Sequence, residues 1–144
     1  ASGLKRLLAR PSPETRDRVM ALIEQVGLAD DAQTLAKELD FGHQKLLELA
    51  RALAMRPRLL LLDEPAAGLR NQDIEQLDRL LTDLAKKEGI TVLLVEHVMR
   101  LVMSISDRIT VMSFGEKIAE GTPQQISQDS RVIEAYLGKG GSRV

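Results

Sequence analysis

Apolar and polar residues follow two periods along the chain, and the switches between them mark the elements. Ser12-Pro13-Glu14 starts a helix: a hydroxyl cap, a proline that needs no amide partner, and a carboxylate near the positive helix end. Val19, Leu22, Ile23 and Val26 then recur at helical spacing on one face, with Gly27 as the stop. A weaker helical stretch is predicted around Asp31 to Lys37. Gly42 opens a strong helix with Leu46, Leu49, Ala50 and Leu53 on its apolar face, ended by Pro57. There the helical period stops. Leu59-Leu60-Leu61-Leu62 is a continuous apolar run, too short for a membrane span, and reads as a fully buried central strand followed by Asp63-Glu64-Pro65. Ile74, Leu77, Leu80, Leu81 and Leu84 mark the next helix, with Gly89 after it, and Thr91 to Val95 is a second buried strand.

Strand, helix and strand in that order predict a parallel pair joined by a right-handed crossover. Val98, Leu101, Val102 and Ile105 form a short helix face, and Ile109 to Met112 a third strand. Ser113-Phe114-Gly115 is a turn that returns through Lys117 to Glu120 as an antiparallel partner. Thr122-Pro123-Gln124-Gln125 carries a capping box and opens a terminal helical pair ending near Leu137, before a frayed tail from Gly138 to Val144.

This layout is α/β, and composition narrows what it can do. The 144 residues suffice for one domain, and 44% hydrophobic with 28% charged residues favours a globular chain over disorder. A net charge of -1 gives no electrostatic case for nucleic acid. The absence of cysteine excludes disulfides and thiolate metal sites and fits a reducing cytoplasm. With no long apolar run in the sequence, membrane association is expected only through a partner.

The candidate chemistry sits where strands end. Ligands of open α/β sheets meet the carboxyl ends of the strands, so Asp63 and Glu64 suggest a Mg2+ anchor beside a base that orients water. The plainer reading is that two acids after a strand cap a helix or line a loop. Glu96-His97 ends the second strand, and a neutral imidazole can donate one hydrogen bond while accepting another. The free amides of the helix that starts near Gly42 can hold an anion.

In order and spacing, these residues resemble the nucleotide-binding subunit of ABC transporters. In that comparison Leu39-Asp40-Phe41-Gly42-His43 falls on the family signature, Leu59 to Asp63 on Walker B, Glu64 on the catalytic glutamate, Ala67-Gly68-Leu69-Arg70 on the D-loop and His97 on the switch histidine. The resemblance covers about the last two-thirds of such a domain, judged against usual domain sizes. It implies an incomplete P-loop NTPase core, with parallel strands, crossover helices and a C-terminal hairpin, plus part of the helical subdomain. The implied division is residues 1–57 for the helical part and signature helix, 58–138 for the core, and 139–144 for the tail. It implies ATP and Mg2+ as cofactors, with Asp63 on the metal, Glu64 on the attacking water and His97 on the γ-phosphate. Leu39 to His43 would close the site of a second ATP-binding subunit. Permease subunits would hold the assembly at the inner face of the cell membrane. The aromatic before Gly42, the loop Ala66 to Leu69, and the ending Ile118 to Pro123 with Val132 to Gly138 look like the branched-chain amino acid group.

The chain also departs from the family pattern. Asp40 stands where a serine is expected, His43 where a glutamine is, and Arg70 where an Asp or Asn is. Asp40 reads equally as a helix cap or as a nucleotide-facing residue that would repel phosphate. Arg70 reads as a solvated loop charge or as a change in communication between paired sites. No lysine is followed by Ser or Thr, so the phosphate-loop pattern is absent, and so is the Q-loop. The expectation is therefore a C-terminal part, inactive alone, whose uncovered strands self-associate. The competing expectation is a non-catalytic module that binds a partner.

Overall fold

The computed structural model of the protein describes residues 11–137, so the tail expected from Gly138 onward lies outside the described residues. The described residues fall into two compact units, divided between Val95 and Glu96.

In the first unit, helix α1 (Pro13–Gln25) starts as its sequence requires, with the Ser12 hydroxyl accepting from the Thr15 amide at 3.2 Å. Its expected apolar face is only partly used: Leu22 and Ile23 are half-buried and Val26 is buried, whereas Val19 is exposed. Gly27 turns the chain with φ of 83°, a conformation open to glycine at little cost. The helix expected around Asp31 to Lys37 does not form. That segment is a series of turns ending in a 3-10 turn, Ala36–Glu38. Short polar side chains compete with a helix here, since the Thr34 hydroxyl donates to the Asp31 carboxylate at 3.4 Å.

Helix α2 (Phe41–Ala54) buries Gly42, Leu46, Leu49, Ala50 and Leu53 and packs on α1. Strand β1 (Leu59–Asp63), helix α3 (Asn71–Lys86) and strand β2 (Thr91–Val95) follow. The strands pair in parallel, Leu59 with Thr91 through Asp63 with Val95, so their carboxyl ends lie side by side. Helix α3 buries Ile74, Leu77, Leu80, Leu81 and Leu84 and packs on β2. Full burial of the strands, expected from their sequences, is not found. Leu60 is buried, but Leu59, Leu61, Leu93 and Val95 are 52%, 64%, 60% and 59% exposed. The reason is geometric: successive residues of a strand face opposite ways, and among the described residues this ribbon has only two strands.

The second unit holds helix α4 (Met99–Ile105), the antiparallel pair β3 (Ile109–Ser113) and β4 (Glu116–Gly121), helix α5 (Pro123–Gln128) and a short helical turn α6 (Ser130–Val132) that passes into a π turn, Ile133–Leu137. Ile109, Val111, Ala119, Ile126 and Val132 form its core, with Val102, Met103 and Ile118 packed around them. Thr122 caps α5 with Gln125 reaching back to the Thr122 amide at 2.9 Å, the reciprocal box legible in the sequence. The Tyr136 hydroxyl donates to the Met112 carbonyl at 2.5 Å and ties the last turn to β3.

Glu120 on β4 accepts from Lys117 and Arg108, each at 2.8 Å, and these contacts, that of Lys117 first, hold its carboxyl below the usual glutamate range. A carboxyl whose folded value lies below its unfolded one adds stability that is complete above the unfolded value, about 4.3, and is lost as pH falls through the folded value. Glu120→Gln is therefore expected to lower the melting temperature at pH 7 and to leave it unchanged at pH 2. An equal deficit at both values would contradict the ion-pair account.

Candidate functional site

The first unit brings the strand end, the loop after it and the start of α2 within one stretch of surface. Asp63 closes β1, and both Asp63 and Glu64 are exposed. Glu64 adopts φ of 47°, the left-handed region that residues other than glycine rarely enter. Its conformation is held from both sides. The Glu64 amide donates to the Val95 carbonyl at 2.8 Å, and its carbonyl accepts from the Ala67 amide at 3.1 Å. Pro65, buried directly after it, disfavours the ordinary helical conformation for the residue in front. The strain of a left-handed residue, on the order of 1–2 kcal/mol, is thus fixed where the carboxylate leaves the strand.

The turn continues through Ala66, which is buried, to Gly68 at φ of 78°. Here the loop meets α2. A Cβ on Gly42 would stand 2.8 Å from the Gly68 carbonyl oxygen, and one on Gly68 would stand 2.5 Å from the Phe41 ring. Both glycines are thus required by close approach, and Phe41, though largely exposed, lies across the loop. The Lys45 ammonium sits 5.7 Å from the Phe41 ring centroid on the same helix. The Asp40 carboxylate caps α2 by accepting from the His43 amide at 2.8 Å. That amide contact, with smaller help from the His43 ring, Arg70 and the Gly42 amide, holds the Asp40 carboxyl below its usual range. His43 Nδ1 lies 3.4 Å from Asp31 and 3.6 Å from Asp40. Gln44 Nε2 donates to the Leu39 carbonyl at 3.0 Å and to the Ala36 carbonyl at 3.4 Å, fixing the approach to the helix. At the far end of the loop, Asp73 accepts from the Arg70 amide at 3.3 Å and from Arg70 Nε at 3.0 Å.

His97 belongs to the second unit. Its ring is 65% exposed, while the side chain of Glu96 is fully buried and accepts from the His97 and Val98 amides at 2.8 and 3.0 Å. Phe41 and Gly42 therefore meet Gly68 and Leu69 in one unit, which also carries Leu39, Asp40, His43, Ala67, Arg70, Asp63 and Glu64. Sequence reasoning missed two supporting residues, Asp73 and Asp31, and the backbone conformation of Glu64, a residue it had named. Asp73 was detectable from its three-residue spacing to Arg70 at a helix start, and the backbone of Glu64 from the proline behind it. Asp31, twelve positions before His43, gave no sequence signal.

Comparison with known proteins decides the family. The family described as ABC transporter matches residues 3–67, and the family described as branched-chain amino acid ATP-binding cassette transporter matches residues 116–142. The chain is 45% identical over 130 residues to the high-affinity branched-chain amino acid transport ATP-binding protein LivG of Escherichia coli (strain K12), covering 90% of this chain and 51% of that protein. The chain belongs to the ABC transporter ATP-binding family. The corresponding protein BraF of Pseudomonas aeruginosa is likewise 45% identical, with 90% of this chain and 51% of that protein covered. Among solved structures, the ADP conformation of MJ1267, an ATP-binding cassette of an ABC transporter, superposes with a TM-score of 0.73 at 30% identity, covering 96% of this chain and 57% of that one. A dimeric post-hydrolysis state of the ATP-binding cassette MJ0796 bound to ADP and Pi gives 0.72 at 28% identity, covering 80% and 50%. The chain spans about half the length of the curated relatives it matches.

For an ABC cassette, the donor set at the end of β1 suits Mg2+. Mg2+ binds through one or two carboxylates and keeps waters and phosphate oxygens as its other ligands, so it does not need an all-protein cage. Asp63 and Glu64 are two exposed carboxylates at a strand end, and no cluster of three or more His, Cys, Asp or Glu suited to a metal occurs among the described residues. No helix among the described residues is long and apolar enough to cross a membrane.

Proposed function

We propose that this chain is the signature- and Walker B-bearing part of an ATP-hydrolysing subunit that powers import of branched-chain or other amino acids. The observation that carries the proposal is the exposed Asp63-Glu64 pair at the carboxyl end of β1, in a chain 45% identical to LivG over 90% of its length. In this reading Asp63 holds Mg2+, which with bound ATP supplies an activated γ-phosphate. Glu64 polarises the attacking water, and His97 hydrogen-bonds the γ-phosphate. Leu39 to His43 close the nucleotide site of a second ATP-binding subunit, and Ala67 to Arg70 form the loop between the two sites. Residues 1–57 contribute to the helical subdomain, 58–138 to the ATPase core and 139–144 to a tail. Permease subunits hold the assembly at the cytoplasmic face of the membrane.

Calorimetric titration of the chain with ATP and Mg2+, beside a phosphate-release assay, tests this reading. Negligible binding and no release are expected, because the sequence holds no phosphate loop. Tight binding with turnover would mean that other residues hold the phosphates. The engagement of Asp40 as the cap of its own helix favours a second reading, a non-catalytic module that binds a partner. That reading stands, and the ATPase reading fails, if a longer subunit containing this chain also releases no phosphate.

The same proposal accounts for the apolar face formed by Leu59, Leu61, Leu93 and Val95, which further sheet elements of a cassette would cover. Alone, the chain is expected to self-associate through this face. A monodisperse monomer in sedimentation velocity at micromolar concentration would count against it.

A further inference from the structure

Glu96 follows the last residue of β2, and its side chain is fully enclosed, whereas the imidazole of the next residue, His97, is 65% exposed. A carboxylate is costly to bury unless hydrogen bonds replace its water. Here Glu96 Oε2 accepts from the His97 amide at 2.8 Å and from the Val98 amide at 3.0 Å. We propose that Glu96 is the positioning residue for His97: it fixes the backbone from which the imidazole projects, and thereby the place at which that ring meets the γ-phosphate.

The amides that Glu96 takes are not those of ordinary helix capping. A cap residue serves the amides of the second or third helical residue, which in α4 (Met99–Ile105) belong to Arg100 and Leu101. Val98, at the cap position, has a hydrocarbon side chain and makes no such bond. Glu96 instead takes the two amides ahead of the helix, one of them that of His97 itself. The same oxygen lies 3.8 Å from His97 Nδ1, beyond hydrogen-bonding range, so Glu96 grips the backbone of His97 and not its ring. The result is a histidine with an anchored main chain and an exposed ring. Such anchoring matters for a ligand contact, because a misplacement of about 1 Å can lower a rate on the order of 10²-fold. These contacts all lie within the second unit. The effect on nucleotide rests on the reading of His97 as the γ-phosphate contact, whereas the anchoring itself does not.

Without nucleotide, solvent exchange at the His97 and Val98 amides is followed by NMR in the wild-type chain and in two variants. Glu96→Met fills the same space with a poor acceptor, and Glu96→Gln keeps an accepting oxygen. Both amides should be protected in the wild type, exchange severalfold faster in Glu96→Met, and regain most of their protection in Glu96→Gln. Unprotected amides in the wild type, or unchanged exchange in Glu96→Met, overturn the proposal. In an ATP-hydrolysing subunit that contains this chain, Glu96→Met should lower kcat by up to about 10²-fold with KM for ATP little changed, and Glu96→Gln should restore most of the rate. Added to His97→Ala, Glu96→Met should cause no further loss, since a residue that acts through another has no effect once that other is gone. Losses that multiply, or a Glu96→Met kcat equal to that of the wild type, overturn the proposal. If Glu96→Met does not fold, Glu96→Ala takes its place in both measurements. A wild-type subunit without turnover refutes the ATPase reading instead, and the exchange rates then decide the anchoring alone.

Discussion

Glu64→Gln, made in an ATP-hydrolysing subunit that contains this chain, is expected to lower turnover by about 10²–10⁴-fold, the usual range for a positioned general base, while ATP stays bound. Glutamine matches glutamate in shape, so the backbone at φ of 47° and its link to the Val95 carbonyl should survive the change. What is lost is the charge proposed to polarise water. An unchanged melting temperature beside trapped ATP would separate chemistry from folding. Undiminished turnover would refute the role proposed for Glu64. Glu64→Gly provides a contrast, because it removes the same carboxylate while relieving the left-handed strain. It should be inactive yet no less stable.

Leu84→Ala should have the largest effect on stability. Leu84 is completely buried near the end of α3, and its carbonyl accepts from the Ile90 amide at 3.0 Å as the chain turns toward β2. Truncating a buried leucine costs about 2–5 kcal/mol, including the cavity left behind. Small domains hold only about 5–15 kcal/mol in total, so this loss should remove a large fraction of the first unit's stability. Urea denaturation followed by far-ultraviolet circular dichroism measures this directly. The exposed Lys86→Ala on the same helix should shift the midpoint little. A Leu84→Ala loss below about 1 kcal/mol would be inconsistent with the packing described for α3.

Elements with strong local signals were legible in the sequence. The Ser12 cap, the glycine stops and the Thr122 box appear where side-chain chemistry puts them, and the turn at Phe114-Gly115 joins β3 to β4 as expected. The segment from Asp31 to Lys37 was misread because its apolar spacing was weak and side-chain hydrogen bonds around Asp31 outweighed it. The strands were located correctly but expected to be buried on both faces, since a run of leucines records the burial of a complete sheet rather than of a two-stranded ribbon. At the candidate site, the sequence named residues but not their mutual placement. Nothing in the sequence indicates that Phe41 crosses Gly68, because that contact joins positions without a shared period.

The pairing pattern also sets an order of events in folding. In the hairpin, Ser113 meets Glu116 three positions later, so β3 and β4 can close on the timescale of isolated hairpins, about 1–10 μs. In the parallel ribbon, Leu59 meets Thr91 thirty-two positions later, with all of α3 between them. Loop closure over that distance must precede any reward from pairing, which makes this the slow step of the first unit. The strand end that presents Asp63 and Glu64 is thus completed only once this long closure is made, and substitutions that slow it should delay the appearance of the site while leaving the hairpin's arrival unchanged.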